Sequence, residues 1–163
     1  MKIIRSIFVV LLLTIVTINV KAQATNAAIN NVVTAYLDVK NALAADNGAN
    51  AEAKAKVLTT QIAAVQIKDQ ATWKKYVDKL SFDARHISET KAIDHQREHF
   101  ASLSKNLYAV LKEMNANAKT LYLQYCPMKK SSWLSDAQAI ENPYYGKEML
   151  DCGSVKETLK AAK

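Results

Sequence analysis

Apolar residues return at steps of three and four in four successive stretches, the spacing that keeps one helix face turned to a core. Ile29, Val32, Tyr36, Val39 and Leu43 form the first stripe. Ala55, Leu58, Ile62 and Val65 form a shorter, alanine-rich second one. Trp73, Val77, Leu80, Ala84 and Ile87 make the third. Ile93, Phe100, Leu103, Leu107, Val110 and Met114 make the fourth, about 32 Å long at the helical rise. Asp46-Asn47-Gly48 predicts a break after the first helix, with Asn50 as the next N-cap and Asp69 as the cap of the third. Whether the third and fourth helices fuse near Ser88–Thr90 is open at this level.

Beyond Asn115-Ala116-Asn117 the period changes. Leu121, Leu123 and Tyr125 alternate with Thr120, Tyr122 and Gln124, a strand pattern. Ser135 is a candidate cap for a short helical turn through Ile140. Ser154 is one for a last helix to Ala162, with Val155 and Leu159 four apart. The expected fold is mainly α: an up-down four-helix bundle, a C-terminal strand/turn segment, and a short last helix.

Composition supports helices, with only three glycines and two prolines in 163 residues. The N-terminus stands apart. Met1 to Arg5 is a short basic start, Ile7 to Val20 is apolar, and Val20-Lys21-Ala22 offers a small-residue cleavage site. Residues 1–22 are therefore expected to be a signal peptide and 23–163 one exported, periplasmic domain with no membrane span. Loss of Lys2, Arg5 and Lys21 lowers a formal charge of +7 by three. The remaining basic residues are scattered, which argues against a nucleic-acid partner.

Candidate chemistry concentrates between Tyr125 and Gly153. Both cysteines and both prolines lie there. Cys126 and Met128 share a face if extended; Met149 and Cys152 share one on a helical turn. Soft sulfur donors select Cu(I) over hard cations. A Cys126–Cys152 disulfide is the competing reading in an oxidising compartment, contributing about 3 kcal/mol. His95 and His99 form an i,i+4 imidazole pair on the fourth helix, and His86 reads as a surface residue without a partner in sequence. No nucleophile elbow, Gly-rich phosphate loop or zinc-protease motif is present, so an enzyme is not expected.

These strings carry a resemblance: His95-Gln96-Arg97-Glu98-His99-Phe100, Tyr125-Cys126-Pro127-Met128, Trp133-Leu134-Ser135, Asn142-Pro143-Tyr144-Tyr145-Gly146, Met149-Leu150 and Cys152-Gly153. They resemble an uncharacterised exported bacterial domain family, domain of unknown function 3347. That domain is also found fused to periplasmic adaptor subunits of Cus-type heavy-metal efflux systems. The Cys-Pro-Met to Trp-Leu-Ser connection, Lys129 to Ser132, is shorter here than in many members. The resemblance implies a monomeric periplasmic module that binds Cu(I), with Ag(I) as a mimic, and hands it to an efflux adaptor or another envelope protein. Its implied ligands are Cys126, Met128, Met149, Cys152, His99 and His95. The alternative is a disulfide-stapled protein-interaction module without metal.

Overall fold

The computed structural model describes residues 27–66 and 70–162. The expected signal peptide and the Asp69 cap lie outside those residues. Four helices follow one another: α1 over 27–44, α2 Gly48–Ala64, α3 Gln70–Ser88 and α4 Ile93–Met114. The four apolar stripes supply the core. Tyr36, Val39, Leu43, Leu58, Leu80, Ile87, Phe100 and Val110 are all fully buried. The third and fourth helices are separate, divided by a short connection over 89–92.

The break between α1 and α2 sits where the sequence put it, with different roles for its residues. Asp46 takes the left-handed conformation (φ 56°). Asn47, not Asn50, caps α2, its side chain accepting from the Asn50 amide at 2.9 Å. Gly48 opens the helix because a Cβ there would collide with the Lys91 carbonyl oxygen.

Three strands follow: β1 Leu121–Cys126, β2 Ser131–Ser135 and β3 Ser154–Leu159. They form an antiparallel sheet in the order β2-β1-β3. The expected last helix is therefore a strand. Val155 and Leu159 suit one helix face, but β1 has a second free edge, and pairing with it satisfies backbone groups that an isolated short helix would leave at its ends. Val155 consequently stands opposite Gln124, half-exposed, while Leu159 opposite Leu121 is buried. A register shift between Leu123 and Gln124 breaks the simple alternation along β1.

The segment between β2 and β3 is also not helical where a turn of helix was expected. Residues 136–139 form bends, and the buried Gln124 explains why. Its amide nitrogen donates to the carbonyls of Ala137 (2.9 Å), Gln138 (3.2 Å) and Ala139 (3.1 Å). Asn142 closes the next stretch: its backbone donates to Leu150, its amide to Cys152, and its carbonyl accepts from Tyr144. On the helical side, the Tyr36 hydroxyl bonds Ser104 at 2.7 Å and accepts from the Leu134 amide at 3.0 Å. Tyr108 donates to Glu157 at 2.7 Å, tying α4 to β3.

Arg97 locks the start of α4 to this scaffold. It donates to the Pro143 and Leu43 carbonyls and, at 2.6 Å, to Asp46. Asp46 also accepts from the Lys147 amide, and these bonds, the amide's first, hold its carboxyl below the usual carboxylate range. The stabilisation is present above the unfolded value of about 3.9 and is lost as pH falls through the lower folded value. Asp46 is partly solvated, so Asp46→Asn is expected to remove no more than about 1 kcal/mol near neutrality. Urea denaturation at pH 7 and pH 3 checks this: the gap between wild type and variant should shrink at the lower pH.

Candidate metal centre

α3 and α4 pack side by side, and their ends at the 89–92 connection carry all three histidines of the chain. His86 lies in the last turn of α3, His95 in the first turn of α4 and His99 one turn later. A ligand atom from each lies within 4.8 Å of the other two. The His86 and His99 rings are stacked, with centroids 4.4 Å apart and planes 8° apart. His95 meets His99 edge-on at 4.7 Å. Among the described residues this is the one group of three or more His, Cys, Asp or Glu side chains so placed.

Two neighbours fix the geometry. Asp83, one turn before His86 and only 4% exposed, bonds His99 Nδ1 at 3.0 Å. A neutral His99 protonated at Nδ1 donates to that carboxylate and leaves the Nε2 lone pair available to a cation. Gln96, fully buried between the two α4 histidines, donates to the carbonyls of Thr90 (2.6 Å), Gly48 (2.9 Å) and Ile87 (3.3 Å). It thereby ties the 89–92 connection to the start of α2. Phe82, half-exposed, lies on the rings of His86 (4.4 Å) and His99 (5.7 Å).

Imidazole nitrogens suit copper, zinc, iron and nickel. Metal–nitrogen bonds of about 2.0–2.1 Å in a tetrahedron set the nitrogens roughly 3.3 Å apart. Binding at that spacing requires the imidazoles to rotate closer, and the stacked pair must splay for both lone pairs to converge.

The sulfur residues form a different group. Cys126 is fully buried and Cys152 half-buried, both as free thiols. Burial pushes the Cys152 thiol up, and the neighbouring Cys126 thiol adds to the effect. Cys126 Sγ also accepts from the Lys129 amide at 3.4 Å. Met128 stands 60% exposed in the β1–β2 turn, and Met149 is half-buried after a short 3-10 turn, Gly146–Glu148. Neither thiol joins the histidine group. The β1–β2 turn does approach α4, since Lys129 lines one cleft with Asp94, Glu98 and Tyr145. Trp133 is fully buried edge-on to Tyr144, and the Tyr144 ring centre lies 6.0 Å from that of Phe100.

A family model described as "Protein of unknown function (DUF3347)" matches residues 32–119, just over half of the chain. The chain belongs to the DUF3347 family. The DUF3347 match takes in Asp83 and all three histidines and ends before β1, so both cysteines fall beyond it. The comparisons with curated proteins and with solved structures returned no match.

His86 is the correction to the sequence reading, which left it on the surface. It is a half-buried member of the histidine group, and Asp83 is the partner that was not anticipated. A usable signal exists in the sequence. Asp83 and His86 are three apart on α3, and His86 and His95 each stand two residues inside their helix ends. No helix among the described residues is long and apolar enough to cross a membrane.

Proposed function

We propose that this DUF3347 protein is a periplasmic metal-capture module that holds copper among His86, His95 and His99 and hands it on. The observation that carries the reading is the His99 Nδ1–Asp83 bond: a nearly buried carboxylate orients one imidazole of a clustered set, the arrangement found behind metal-ligating histidines. The donor set is neutral, with one buried negative charge beside it, which matches a monovalent ion such as Cu(I), with Ag(I) as its mimic.

Cys126 and Cys152, with Met128 and Met149 nearby in sequence, are the softer donor set and a second station for Cu(I). The exported N-terminus, an up-down packing of the four helices, a monomeric state and a heavy-metal efflux adaptor or other envelope protein as acceptor complete the reading. Catalysis is not part of it. The adjoining thiols favour a second reading: a Cys126–Cys152 bridge that staples an interaction module without metal.

An anaerobic Cu(I) titration of the reduced protein against a chromophoric chelator separates these readings. One-to-one binding that disappears in His86→Ala/His95→Ala/His99→Ala and survives Cys126→Ser/Cys152→Ser is the expected result. The reverse pattern transfers the centre to the thiols. No binding by folded, reduced protein removes the metal function and leaves the interaction module.

A further inference from the structure

We propose that the histidine centre keeps one coordination position open to solvent on its His95 side, and that this position takes a small external donor, an anion or a free imidazole. The inference deepens the proposed function and rests on it. Three imidazoles cluster, and no thiol or carboxylate among the described residues joins them as a fourth ligand. Asp83 is the nearest acid to the group by its bonding, and it is engaged with His99 Nδ1 and 4% exposed. Borderline divalent ions held by three protein ligands complete a tetrahedron with an exogenous one.

The surroundings say where that ligand enters. Phe82 leans on the His86 and His99 rings, and the Arg85 guanidinium lies 5.8 Å from the Phe82 ring centre, so that flank is the more crowded one. Behind the site, Gln96 and Phe100 are fully buried. His95 is the exposed member of the three; among the described residues no hydrogen bond holds its ring, and its ring contacts are with His86 and His99. The accessible approach is therefore past His95. For a divalent ion such as cobalt(II), three neutral imidazoles and one nearby carboxylate leave net positive charge, which attracts an anion; for Cu(I) the same set is balanced, and a neutral donor such as imidazole fits. An incoming donor can then bind before any histidine leaves, so the ion passes on without a free intermediate.

Cobalt(II) with azide tests this on the exported, processed protein, because cobalt reports its coordination number in its visible spectrum. The expected result is a four-coordinate cobalt spectrum that shifts saturably with one azide per ion. Phe82→Ala should leave the azide affinity within about threefold, since Phe82 lies on the other flank. Bound cobalt whose spectrum ignores azide would show a closed centre and overturn the inference while sparing the metal site. An azide affinity raised about tenfold or more by Phe82→Ala would put the open position on the wrong side. Failure of the folded protein to bind cobalt at all would remove the centre and this inference together.

Discussion

His99→Ala should lower copper affinity by more than about 100-fold, and Asp83→Asn by about 10- to 100-fold. The first change removes one of three imidazoles, the one whose tautomer is fixed by a bond. It also leaves a carboxylate that is 4% exposed without its partner, so a loss of about 1–3 kcal/mol of stability should accompany it. Asp83→Asn keeps an oxygen that can accept from Nδ1 but removes the negative charge that makes the imidazole a better donor. The two effects should not add. Asp83 acts through His99, so Asp83→Asn should change affinity little in a His99→Ala background. Chelator competition on the four proteins of this cycle measures the coupling. Full additivity would mean that Asp83 touches the ion itself or acts through another group.

Trp133→Ala is expected to destabilise the domain by about 3–5 kcal/mol, a large part of the 5–15 kcal/mol typical of a domain. Trp133 is fully buried on β2, edge-on to Tyr144 with centroids 5.9 Å apart, and a Cβ at Gly153 would press on its ring. Among the described residues the indole nitrogen has no hydrogen-bond partner, so the cost is almost entirely lost packing. Trp133→Phe should accordingly be much milder than a change that also breaks a buried polar bond. Urea unfolding followed by far-UV circular dichroism gives both values. The alanine variant should also alkylate faster at Cys152, which follows the loop that Trp133 packs against. A loss below about 1 kcal/mol in Trp133→Ala would mean that the sheet and its covering segment collapse into the gap.

The helical part of this architecture is legible because each stripe has one period and one buried side. α4 is the clearest case: its apolar stripe begins at Ile93 and ends at Met114, and so does the helix. The C-terminal part is harder because its elements are set by partners far along the chain. Val155 and Leu159 are four apart, and only the free edge of β1 makes their segment a strand. Residues 136–139 follow a plausible capping serine, and only the Gln124 amide draws their carbonyls away from helical bonding. The candidate site divides in the same way. The His95/His99 pair is visible within one helix. Asp83 and His86 become partners of His99 only once α3 and α4 lie together; their places near the helix ends are visible in the sequence, but the packing that makes them neighbours is not. Cys126 at the end of β1 and Cys152 in the segment before β3 form a group separate from the histidines.

The bonding of Gln96 and Arg97 bears on whether the histidine pair of helices is a portable peptide. Residues 70–114 excised alone would keep the Ile87 and Thr90 carbonyls for Gln96 but lose that of Gly48. Arg97 would lose Leu43, Asp46 and Pro143 at once. Both side chains lie between His95 and His99, so grafting the ligands onto another scaffold without these anchors would transplant the donors and leave their aim behind.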